Sequence, residues 1–182
     1  MKRGFSLLET VLVMGISIGA LIALVNLFLL FNSTYGYQQA FMSTAGSAGT
    51  AMSALEAAVL PADKILASHS FSGTTYSSAT TTLVLELPKI NGAGYVISGE
   101  YDYIAFYASS TTLYQLTQAG GGSTRASGIK QLSTTLNSIS FTYDKAVFSN
   151  VTNVIADVQT QAQFKQQTVQ GHLHEKLFLR NL

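Results

Sequence analysis

Between Thr10 and Leu55 the chain carries no charged residue, and up to Phe31 nearly every position is apolar. From Phe5 to Phe31 a helix would extend roughly 40 Å at the usual rise per residue. A bilayer core needs about 20 apolar residues, so this segment is long enough to cross one. The next stretch, YGYQQAFMSTAGSAGTAMSALEAAVLP, is polar on one side only. Phe41, Ala45, Ala48, Met52, Leu55 and Val59 recur at helical spacing and draw an apolar stripe. Pro61 marks a stop, because the residue before a proline avoids helical geometry. The pattern therefore predicts one helix from about Phe5 to about Leu60, whose striped half needs a surface to pack on.

After Pro61 the period changes from helix to strand. TTLVLELP, YDYIAFYAS, TTLYQLT, SISFTYD, VTNVIADVQT and HLHEKLFLRN are rich in β-branched and aromatic residues, mostly alternating. Turn signals separate them: NGAG at 91–94, GGGS at 120–123 and YDKAVFSN at 143–150. Adjacent strands with short connections argue for an antiparallel sheet with one face buried. The stripe from Phe41 to Val59 is its natural cover. The expected fold class is α+β: a long N-terminal helix, membrane-spanning in its first half, packed through its second half on an antiparallel β-sheet. Residues 1–4 precede an apolar helix at 5–31, with its distal half at 32–61 and a β-sheet head at 62–182.

Composition sharpens this picture. The chain is 47% hydrophobic and 10% charged, so its polar surface must be built from Ser, Thr, Gln, Asn and Tyr. That suits an exported, assembly-prone protein better than a cytosolic enzyme. Lys2 and Arg3 are two of only ten basic residues against nine acidic ones, which leaves no strong nucleic-acid signal. The same two charges, flanking the apolar run, predict a cytoplasmic N-terminus. A cleaved secretory signal would have a shorter apolar core and a small-residue site after it. There is no cysteine, hence no disulfide and no thiol chemistry.

GFSLLETVLVMGISIGALIAL resembles the type III signal of type IV pilins and type II secretion pseudopilins. The resemblance rests on an ordered set: the basic leader Met1-Lys2-Arg3, Gly4 at its end, aromatic Phe5, Glu9 four residues later, and the apolar helix. It implies the pilin fold. It also implies cleavage by a membrane prepilin peptidase between Gly4 and Phe5, N-methylation of Phe5, and assembly through Glu9. A glycine at the cut allows close backbone approach. Implied partners are other pilin or pseudopilin subunits, the prepilin peptidase, the inner-membrane assembly platform and the membrane itself. The implied location is the inner (cytoplasmic) membrane as a single-pass protein, then an extracytoplasmic filament. No metal and no cofactor is expected. From 100 onward, YIAFYASSTTLYQL, Arg125, LSTTLNSISFTYD and the terminal LFLRN are similar in order to J-type minor pseudopilins and W-type minor pilins. The helix lacks the proline that major pilins often carry, which favours a minor component.

Glu9 invites a physical reading too. An ionisable group in an apolar helix is expensive and asks for a partner. A new amine at Phe5 would be a cation at the same depth, and attraction between the two grows as water is excluded. The other reading is a carboxylate resting at the headgroup level. Gly15 and Gly19 form G-x-x-x-G, which either permits close helix approach in lipid or is ordinary glycine use.

Other chemistry is sparse. His172 and His174 share one strand face as a possible metal pair, with Glu175 pointing the other way, or are simply solvent-facing. Glu100 and Asp102 also share a face, as an acid pair or a solvated strand start. No serine stands in G-x-S-x-G, so no catalytic constellation is expected. Two alternatives stay open. One is a DNA-uptake or adhesion pilin, which would want clustered cations, whereas Lys130, Lys145, Lys165 and Lys176 are dispersed. The other is a membrane-anchored surface domain that is never processed.

Overall fold

The computed structural model describes residues 6–180. The chain divides into two units, Met1–Ala40 and Phe41–Leu182, and one helix, α1 (Leu7–Val59), contributes residues to both. Local chemistry starts this helix. Ser6 precedes it, and the Ser6 Oγ accepts the Glu9 N–H at 3.3 Å while the Ser6 carbonyl accepts the Thr10 N–H at 3.1 Å. One of the donors that a helix start leaves open is thereby satisfied. At the other end the Leu60 N–H still reaches the Glu56 carbonyl at 3.0 Å, and the chain then turns at Pro61.

In the second unit ten strands form three antiparallel sheets. The first is five-stranded: β1 (Lys64–Ile65), β4 (Thr82–Ile90), β5 (Val96–Ser109), β6 (Thr112–Gln118) and β7 (Gly128–Ser133), in the order β1-β4-β5-β6-β7. The second orders β10 (Gln167–Phe178), β9 (Asn153–Phe164) and β8 (Leu136–Tyr143). The third is the hairpin of β2 (Ser68–Phe71) and β3 (Thr74–Ser77). All six strand-rich runs of the sequence are strands. The expectation of one sheet with one buried face is corrected, because β8 does not add to β7. The chain leaves the first sheet after Ser133, and the Leu136 N–H bonds the Thr111 carbonyl at 2.8 Å. Further along, the Phe141 N–H bonds the Thr80 carbonyl at 2.7 Å. A second sheet therefore starts beside the turns of the first.

The core lies between these sheets and the distal part of α1. Met52, Leu55 and Val59 of α1 pack with Leu85 and Phe106 of the first sheet and with Val154 and Val158 of the second. A smaller cluster occupies the opposite face of the first sheet. There the β2–β3 hairpin sets Phe71 over Val84 and Ala105, with Tyr76 and Tyr103 packed beside them. That second cover explains LVLEL in β4, where five successive residues, Leu83 to Leu87, are buried. A strand covered on both faces loses the alternation a half-exposed one shows.

Two polar details fix how the helix sits on the second sheet. The Thr160 Oγ1 donates to the Thr44 carbonyl at 2.8 Å. Facing them is Gly171, where an added Cβ would lie 2.8 Å from the Thr160 Oγ1 and 3.0 Å from the Thr44 carbonyl oxygen. Glycine is required there for close approach of strand and helix, a packing need and not a turn.

Candidate functional site

The first unit presents apolar surface almost without interruption. From Leu7, which is 85% exposed, to Phe31, every large hydrophobic side chain of α1 is solvent-accessible. The helix contains a window with mean hydropathy 2.5, none of it buried, and is long and apolar enough to cross a membrane. Gly15 and Gly19 lie one turn apart, and a Cβ built at either would meet nothing within 4 Å. Their flat face is therefore free for another helix. Gly4 and Phe5, the expected cleavage and methylation positions, lie outside the described residues.

Glu9 sits in the first turn of α1, exposed to solvent. Its own N–H is the one bonded to the Ser6 Oγ. The signal Ser6-x-x-Glu9, a serine followed three residues later by glutamate, is a capping-box pattern that sequence reading passed over. A carboxylate here also faces the positive end of the helix dipole. Glu9 thus has a local role in starting the helix besides any role between subunits.

The expected helix–head stripe is largely in place but shifted at its start. Met52, Leu55 and Val59 are buried, with Ala48 beside them. Phe41 is 51% exposed and Ala45 is exposed as well, so these two do not pack on the head. The buried face begins instead at Thr44 and includes Ala51 and Ala58. The reason is geometric. Two sheets flank the helix, so the covered face is wider than a single-sheet stripe, and it opens with a threonine that hydrogen bonds to β9.

Inside the head Asp102 is a fully buried carboxylate, 0% exposed. Its Oδ1 accepts the Gly120 N–H at 2.8 Å, and its Oδ2 accepts the Ser123 hydroxyl and the Arg125 Nη1, each at 2.7 Å. The same Nη1 donates to the Pro88 carbonyl at 2.7 Å. Burial pushes the carboxyl up, but hydrogen bonds from Ser123, Arg125 and Gly120, with the Arg125 charge, outweigh it and hold it below the usual carboxylate range. The expected alternatives for Asp102, acid pair or solvated strand start, are both corrected. Glu100 pairs instead with Lys89, and Asp102 pins the 119–127 connection onto the sheet.

The two histidines are exposed, and they are joined by a carboxylate from the neighbouring strand. The Asp157 Oδ2 lies 2.9 Å from the His172 Nε2 and 3.2 Å from the His174 Nδ1. The register places His174 opposite Asp157, a relation that no local motif reveals. The hydrogen bond from His172 is the main cause that holds Asp157 below its ordinary range. Among the described residues no group of three or more His, Cys, Asp or Glu is placed to hold a metal ion. Lys130, Lys145, Lys165 and Lys176 fall on β7, the β8–β9 connection, the β9–β10 turn and β10, each on a different element. Comparison of the chain with protein-family models, with curated proteins and with solved structures finds no match.

Proposed function

We propose that this chain is a minor pilin or minor pseudopilin, a non-enzymatic subunit of a type IV pilus, a type II secretion pseudopilus or a competence pseudopilus. In this reading prepilin peptidase cuts between Gly4 and Phe5, Phe5 is N-methylated, and the subunit waits in the inner membrane. The assembly platform then moves it into a filament through its helix. The observation that carries the reading is the pairing of Glu9 with a chargeless, wholly exposed apolar helix that continues without a break into the part packed on a β-sheet head. A soluble domain has no use for such a surface, whereas lipid followed by neighbouring helices covers it in both stages of assembly.

Mass spectrometry of the mature protein, with and without prepilin peptidase, tests the processing. The expected mass begins at N-methyl-Phe5 only when the peptidase is present, and an N-terminus at Met1 in both samples sinks the reading. Glu9→Ala is expected to reduce entry into filaments while leaving membrane insertion intact. A second reading, an unprocessed membrane-anchored surface domain, draws on the place of Glu9 in the first turn of α1, where its carboxylate has the purely local task of facing the positive end of the helix dipole. Under it, Glu9→Ala would cost no more than the lost attraction of a carboxylate to the helix dipole, about 1 kcal/mol or less.

A further inference from the structure

A groove of about 570 Å³ opens within the head between the end of α1 and strand β7. One wall is the helix face of Ala54, Ala57 and Ala58, whose small side chains leave the space. Leu87 and Ile104, both buried, lie at its depth. Gln115 and Thr117 of β6 are half-buried and line it with no hydrogen-bonded partner for their side chains among the described residues. Arg125 is also present, but its Nη1 serves Asp102 and Pro88, so that clamp holds the far wall rigid. Lys130 is exposed in the groove, and its ammonium has no ion-pair partner among the described residues.

An edge strand borders the groove. β7 pairs only with β6 and ends its sheet. Along Gly128–Gln131, which are exposed, its free edge presents backbone donors and acceptors, a ready template for another extended chain, while Leu132 and Ser133 are buried. Gly128 and Lys130 are two residues apart and so point to the same face of the sheet, toward the helix. A Cβ at Gly128 would meet nothing within 4 Å, so a notch stands open beside the alanines. On the other face Ile129 is 63% exposed.

We propose that this groove docks an extended peptide segment of a partner protein, added as a strand to β7. The segment carries an apolar residue and a carboxylate two residues apart. The apolar side chain enters the notch between Gly128 and the alanines, and the carboxylate meets Lys130. Charge selects the acid: the Arg125 guanidinium already holds a carboxylate, and Lys130 is the cation left to pair. The inference stands on the head alone and is independent of cleavage and filament assembly.

The test pans a random linear peptide library against the full chain in detergent micelles. Enriched peptides should share an apolar residue two positions from Asp or Glu. Binding should weaken by about ten-fold or more, that is about 1.4 kcal/mol, in Lys130→Glu and in Ala57→Trp, but not in Lys145→Glu. Ala57 and Lys130 are both exposed, so these variants should fold, which circular dichroism checks. Bound peptide should slow amide exchange at 128–131. No enriched motif, equal binding by all variants, or protection elsewhere overturns the proposal. So does protection of 128–131 that rises with protein concentration without peptide, which would make the occupant a second copy of this chain.

Discussion

Two parts of one helix obey different rules. Residues 7–31 are apolar all round, and every large hydrophobic there is exposed. Residues 44–59 are less apolar, with Gly, Ser and Thr throughout, yet seven of them are buried. Hydrophobicity alone therefore ranks the two parts in the wrong order for burial inside the protein. The first part is apolar on every side, the pattern of a helix long and apolar enough to cross a membrane. The second is patterned because sheets cover one broad side and water the other. Small residues such as Ala48, Ala51 and Gly171 do in the head what large ones cannot: they let backbones approach.

The contrast can be broken first at the buried ion pair. Asp102→Ala should destabilise the head by about 3–5 kcal/mol, because it leaves the Arg125 guanidinium without its buried partner. Urea unfolding of the full chain in detergent, followed by near-ultraviolet circular dichroism of the tyrosines, measures this. The same pair sets a pH dependence. The Asp102 carboxyl is held below its ordinary value, so its stabilisation is complete above about pH 4 and is lost as pH falls through the folded value. The urea midpoint should fall in acid, and it should fall less steeply in Asp102→Asn.

Core truncation should come next. Leu55→Ala, at a fully buried helix position, should cost about 2–5 kcal/mol in the same assay. Leu21→Ala, the same change at a more apolar but exposed site, should leave the head within about 0.5 kcal/mol of wild type. Equal losses at the two positions would end the comparison. Gly171→Ala should cost about 1–3 kcal/mol, since its Cβ cannot fit without moving Thr160 or the Thr44 backbone. Ser6→Ala should have the smallest effect, about 1 kcal/mol on the first turn, seen as faster amide exchange at Glu9 and Thr10 with the head unchanged.

Much of this architecture was legible in the residues. An apolar run with no charge, a change of period at Pro61 and alternating aromatic strands are local signals, and each corresponds to an element. The unread strands are β1, β2, β3 and β7, which are short or polar, like SHSF and GIKQLS, and take their shape from neighbours. Asp102 and Asp157 illustrate the limit at the site. Their roles depend on Arg125, which follows 23 residues later, and on His172, 15 residues later, brought near only by strand register and a pinned connection.

The amino-acid order by itself determined the α+β class, the helix that is apolar enough to cross a membrane, and the Ser6–Glu9 start of that helix, because these depend on neighbours a few positions away. Tertiary structure decided which helix residues are covered. It excluded Phe41 and Ala45 and admitted Thr44, split the strands into three sheets, and made Asp102 a buried clamp. Those outcomes follow from which surfaces meet, and distant segments meet only when the chain has folded.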